Sequence, residues 1–140
     1  MWFNPIIRWL LRSPLHSLVS KNMMLMTYIG RKSGKSYTTP MNYLTIDQAL
    51  YTISTRERVW WRNLRGGAEV SLRLQGKDVT ARAESIDEMA EVARLLEQIF
   101  EADPRMAGYL NVRIGPDGNP NPEDIDRLAQ ERILVRTVLK

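Results

Sequence analysis

The chain contains no cysteine, which excludes disulfides, thiolate nucleophiles and thiolate metal ligands. Histidine occurs once, at His16. A zinc site would therefore need carboxylates for nearly all its ligands, and serine–histidine hydrolysis would rest on one residue in a basic N-terminal segment. Long apolar runs are also missing. Nothing in residues 1–20 approaches the roughly 20 apolar residues that a membrane-spanning helix needs, and no clean small-residue cleavage site follows an apolar stretch. The side chains left for chemistry are hydroxyls, amides, aromatic rings and an excess of cations.

Hydrophobic residues make up 44% of the chain and charged residues 26%, a balance that argues for a folded core rather than disorder. With 140 residues and no linker or repeat, residues 1–140 read as a single domain. The charge is unevenly spread. Residues 1–82 carry 13 Lys/Arg against 4 Asp/Glu, whereas residues 83–140 carry 7 against 12. The first part is thus suited to an anionic ligand, nucleic acid or lipid surface. Its opening, 1–20, is amphipathic, with Arg8, Arg12 and His16 on one helical face and a Ser13-Pro14 break. Such a helix covers its own core or a partner's. The other reading is peripheral contact with anionic lipid at the inner face of a membrane, by an otherwise cytoplasmic protein.

Strands are predicted over 23–29, 37–46, 50–55, 68–74, 77–85 and 132–139, with turns at Asp47-Gln48 and Gln75-Gly76 and an edge position implied by Pro40. Helical spacing appears at 58–67, ending at Gly66-Gly67, and at 86–102, where Ser85 and Glu88 form a capping box. Pro122 opens a short acidic helix after an irregular 115–122 segment. The fold class is α+β, mainly antiparallel β, with the strands too closely spaced for parallel crossovers and the sheet curling into a barrel.

Two clusters carry chemistry. The turn 30-GRKSGK-35 joins two strands, and its glycines let backbone N–H groups converge while Arg31, Lys32 and Lys35 add charge. Ser33, Ser36, Thr38 and Thr39 supply further donors. It is not a Walker loop, and by composition a solvated hairpin turn is an equal reading. In 54-STRERVWWRNLRGG-67, four arginines flank Trp60 and Trp61. Adjacent tryptophans on one helix point different ways, so one is expected in the core and the other beside a cleft or interface.

Read together, Gly30-Arg31-Lys32-Ser33-Gly34, Thr39-Pro40, Ser54-Thr55 and Trp60 with Asn63-Leu64 resemble the deazaflavin-dependent nitroreductases, a branch of the flavin/deazaflavin oxidoreductases. The resemblance covers residues 20–85 and continues weakly to the last strand. It implies a split β-barrel (FMN-binding-like) with flanking helices, a homodimer, and coenzyme F-420, with FMN as the alternative. Arg31, Lys32, Ser33, Gly34 and Lys35, with Thr38, would hold the phosphate end. Ile53, Ser54, Thr55 and Arg56 would line the pyrimidine side of the ring, Trp60 would support its edge, and Asn63 would fix the tryptophan helix. Hydride transfer to a small-molecule acceptor, a quinone, enone or nitroaromatic, is then the cofactor's own chemistry. Tyr43, Ser54 and Tyr109 are the candidate proton donors. The segment Arg56–Val59 is shorter than the glycine-containing loop of well-known members, and Asn42 stands where relatives often carry an aromatic residue. A carrier of lipid, haem or tetrapyrrole is the non-catalytic alternative. No recognition helix or stacking platform for specific nucleic-acid binding is evident.

Overall fold

The computed structural model describes residues 23–140; the amphipathic N-terminal segment lies outside them. Seven strands form one antiparallel sheet: β1 (Met23–Ile29), β2 (Ser36–Asn42), β3 (Leu44–Ile46), β4 (Ala49–Thr55), β5 (Ala68–Leu74), β6 (Lys77–Ile86) and β7 (Arg132–Leu139). Their spatial order is β2-β1-β5-β6-β7-β4-β3. A short 3-10 helix (Trp60–Leu64) follows β4, and three α-helices lie between β6 and β7: α1 (Met89–Ala102), α2 (Arg105–Tyr109) and α3 (Pro122–Glu131).

The two-residue turns form as their composition demands. Asp47 and Gln48, and Gln75 and Gly76, all take positive φ, the paired left-handed geometry whose twist matches a tight hairpin. Pro40 sits on β2, an edge strand, opposite Leu25 of β1, where its missing N–H costs no interior ladder bond.

The predicted strand 37–46 is two strands. β2 pairs with β1 at one end of the sheet order, whereas β3 pairs with β4 at the other. Between Asn42 and Leu44 the chain crosses from one edge to the other, which is possible because the sheet curls until its edges meet. Across that seam the Thr52 hydroxyl donates to the Asn42 carbonyl at 3.0 Å. This is a split barrel, sewn at one place by its own chain.

The capping box also gives way. Ser85 and Ile86 extend β6, opposite Val135 and Leu134 of β7, and Ile86 is buried by that pairing. The helix begins later, with the Glu88 carboxylate accepting from the Glu91 N–H at 2.7 Å. Two further ladder rungs and a buried isoleucine outweigh a serine cap, whose loss is worth about 1 kcal/mol.

Alternation along the strands builds two cores. Met24, Met26, Tyr28, Leu72, Ile133 and Val135 fill the barrel with both tryptophans. On the other face, Ala49, Tyr51, Ile86 and Leu134 meet Leu96, Ile99 and Phe100 of α1 and Ile125 and Leu128 of α3. β7 is buried on both faces, hence its near-continuous apolar run.

Candidate active site

The Gly30–Lys35 turn closes on itself, the Gly30 N–H donating to the Lys35 carbonyl and the Gly34 N–H to the Gly30 carbonyl, each at 2.8 Å. Gly34 needs its φ of +69°, which L-residues rarely adopt. At Gly30 the constraint is space: a Cβ there would stand 2.7 Å from the Tyr37 ring and 2.8 Å from Ser33 Oγ. Lys32 and Lys35 are exposed and have no carboxylate partner among the described residues.

This turn is fastened to the tryptophan helix. The Arg31 N–H donates to Asn63 Oδ1 at 3.0 Å, and Asn63 Nδ2 donates to the Trp60 carbonyl at 2.9 Å. The Arg31 guanidinium donates to the Arg65 carbonyl. Asn63 therefore fixes the turn as well as the helix. Both tryptophans are buried, where one was expected to stay out of the core; of the two, Trp60 also borders a cleft, as expected of one of them, and Trp61 does not. A five-residue 3-10 helix packed into the mouth of the barrel can sink two neighbours when each indole N–H has a partner: Trp60 Nε1 donates to Ser54 Oγ at 3.2 Å and Trp61 Nε1 to the Thr55 carbonyl at 3.1 Å. Arg62 and Arg65 lie over the Trp61 ring, at 5.6 and 5.2 Å from its centroid.

A cleft of about 720 Å³ opens along the barrel seam. Its walls are Thr39–Leu44 from the β2–β3 crossing, Tyr51–Thr55 of β4, and Trp60; Met106, Tyr109 and Leu110 of α2 and its end stand over it. β3 covers β4 only as far as Tyr51, so the seam-side edge of β4 has no strand neighbour beyond that point. Open backbone donors and acceptors on a strand edge, beside an indole, suit the polar edge of a flat heterocycle. Thr55 Oγ1 is buried there with no hydrogen-bond partner among the described residues.

Of the residues singled out in the sequence, Tyr43, Ile53, Ser54, Thr55, Trp60 and Tyr109 all line this cleft. Ser54 accepts from Trp60, and its own proton is left to donate. Tyr43 is buried and its hydroxyl accepts from Gln75 Nε2 at 3.1 Å, whereas Tyr109 is 74% exposed. The Arg31–Lys35 turn is not part of the wall; it connects to the cleft through Asn63 and Trp60, and through Ser33, Tyr37 and Tyr28, whose ring lies against Trp60. Thr38 bonds Thr27 across β1–β2 at 2.9 Å, and strand alternation gives the cleft Thr39 instead. The Arg56 guanidinium is spent on main-chain carbonyls, those of Ala129 at 2.7 Å and Asp87 at 2.8 Å, so it braces α3 rather than the cleft. The lining cations are Arg58, Arg105 and Arg132. Arg132 gave no signal in the sequence, since only the β4–β7 pairing brings it opposite Thr55.

The residues matched by a family model decide the assignment: 14–114 fit F420H(2)-dependent quinone reductase, spanning most of the chain. The chain belongs to that family. As a member it is a deazaflavin-dependent oxidoreductase, an enzyme whose cofactor is coenzyme F-420, and the carrier reading is set aside. The sequence resemblance found the cofactor class, although the family is defined by quinone rather than nitro reduction. No curated protein matches the chain. Among solved structures, an F420-H2-dependent reductase (FDR-A) is 19% identical with a TM-score of 0.51, covering 83% of this chain and 94% of its own. The general stress FMN/FAD binding protein of Xanthomonas citri is 14% identical with a TM-score of 0.53, covering 89% and 79%. A domain-swapped dimer is 16% identical with a TM-score of 0.51, covering 84% and 81%. At these identities the likeness concerns the split-barrel fold. The cleft suits the family's cofactor: it has the volume for a tricyclic ring, an aromatic wall, an open strand edge and an unpartnered buried hydroxyl.

Proposed function

We propose that this quinone-reductase family member holds the deazaflavin ring in the seam cleft against Ile53, Ser54 and Thr55, with the Gly30–Lys35 turn holding the phosphate. The observation that carries this reading is the unpaired edge of β4 beside Trp60 and Thr55. When bound in its reduced form, F-420 supplies the hydride. The chain's part is to bind, orient and exclude water. The free strand edge offers N–H and C=O groups to the ring, while Trp60 sets the Ser54 hydroxyl by hydrogen bonding to it. Lys32 and Lys35, not neutralised by any described carboxylate, supply charge for a phosphate. Tyr109, with Met106 and Leu110, stands over the cleft and screens the acceptor from solvent.

The acceptor is a quinone, ahead of enones and nitroaromatics, in keeping with the family description. Its proton comes from Tyr43, Ser54 or Tyr109, the hydroxyl groups singled out that line the cleft. The protein works as a homodimer, a reading supported by the likeness to a domain-swapped dimer. Titrating purified protein with oxidised F-420 and with FMN, followed by turnover of a naphthoquinone, an enone and a nitroaromatic, tests the proposal. F-420 should bind more tightly and the quinone should give the highest kcat/KM. Tight FMN binding with no F-420 binding overturns it.

A further inference from the structure

Two polar groups on the floor of the cleft have no hydrogen-bond partner among the described residues. They are Thr55 Oγ1 and Arg132 Nε, each exposing less than 1 Å². They belong to residues directly opposite each other in the β4–β7 register. Arg132 lines the seam cleft and also a second cavity of about 480 Å³, with Tyr109 and Leu110 on the shared wall. It forms no ion pair with any described carboxylate, although Asp103 lines the cleft and Asp124 and Glu131 the second cavity. Asp103 is taken by Arg105, and Asp124 by Arg113 and Arg127. Arg132 is only half-buried, but its Nε–H is sealed from solvent with its donor unused, and such a group is retained where a ligand supplies the missing acceptor.

We propose that Arg132 and Thr55 form an oxyanion subsite, a donor pair for an oxygen that becomes negative during hydride transfer. The inference rests on the quinone-reductase reading of the cleft. Hydride transfer gives the quinone two electrons and one proton, so an acceptor oxygen carries negative charge until the second proton arrives from the cleft hydroxyl named above, which water then reprotonates. The reduced deazaflavin is thereby returned to its oxidised form. A preset guanidinium and hydroxyl would stabilise that charge without reorganising, which is the efficient way to lower such a barrier. The same donors would also suit a carbonyl oxygen on the polar edge of the reduced ring, which is electron-rich before the hydride leaves.

The test uses Arg132→Met and Arg132→Lys in the full chain. The probes are 2-hydroxy-1,4-naphthoquinone, whose hydroxyl is ionised at neutral pH, uncharged 1,4-naphthoquinone, and F-420 in both redox states. Arg132→Met should keep or raise Tm. A fall of about fivefold or more in affinity for the anionic quinone, with the uncharged one little changed, assigns the subsite to the acceptor. A comparable loss for reduced F-420 alone assigns it to the ring edge. Arg132→Lys should recover part of either loss. Unchanged affinities for all four probes, or a lowered Tm with affinities intact, overturns the proposal and leaves Arg132 as packing at the end of α3. If wild-type protein binds the anionic quinone through Arg132 but no F-420, the subsite stands and the cofactor assignment fails.

Discussion

Asn63 is the joint between the anion-holding turn and the cleft, and its removal has a calculable effect. Asn63→Ala deletes two hydrogen bonds, one from the Arg31 N–H and one to the Trp60 carbonyl. Each is worth roughly 0.5–1.5 kcal/mol net. The site is only half-buried, so water can replace the lost partners in part, and the low end applies, about 1–2 kcal/mol in total. For a chain of this size that lowers Tm by about 3–8 °C, readable by calorimetry or circular dichroism. The Arg31 guanidinium still reaches the Arg65 carbonyl, so the turn loosens without detaching. Ordering it again on binding should then weaken F-420 affinity by about five- to tenfold, near 1 kcal/mol. A variant whose Tm and F-420 affinity both match wild type would refute this coupling. One that loses stability and binds F-420 as before would show that the turn does not serve the ligand.

Lys32→Ala should weaken F-420 binding by roughly 1–3 kcal/mol in titrations, and unchanged affinity would make the turn a solvated corner. Leu96, fully buried between α1 and the sheet, should cost about 2–5 kcal/mol on truncation to alanine, measured by urea unfolding, with the barrel-side cleft keeping its ligand in the folded fraction. The Asp124 carboxyl is pulled down from 3.8 to about 2, mainly by hydrogen bonds from the Arg113 guanidinium and N–H. Because the folded value is depressed, its contribution is complete above pH 3.8 and disappears as pH falls towards 2. The stability difference between wild type and Asp124→Asn should therefore shrink across that window, and a constant difference would contradict the assignment. Trp60→Phe keeps an aromatic wall but frees Ser54 Oγ; F-420 affinity should drop severalfold, whereas equality with wild type would mean that Ser54 needs no positioning.

Features that depend on neighbours a few residues apart were legible along the chain. Paired turn residues at Asp47-Gln48 and Gln75-Gly76 set the hairpins. Alternation marked the strands, and the 3.6-residue stripe marked α1. The glycines and cations of the 30–35 turn, with Trp60 and Asn63, were enough to point to the family.

Whatever required the sheet to curl was settled by long-range pairing. Residues 37–46 read as one strand because their local pattern is continuous; only the meeting of distant sheet edges breaks it at Tyr43 and makes the cleft. Ser85 looked like a cap until β7 paired with it, and Arg56 looked like a ligand group until α3 offered it the Ala129 carbonyl. Thr38 and Thr39 are chemically alike and adjacent, and the barrel's inner face selected the second for the cleft. Arg132 met Thr55 across 77 positions of chain, a contact fixed by backbone pairing rather than by any local pattern. Hydrogen bonds within turns and helices are legible along the chain, but a cleft at a barrel seam exists only once the ends of the sheet have come together.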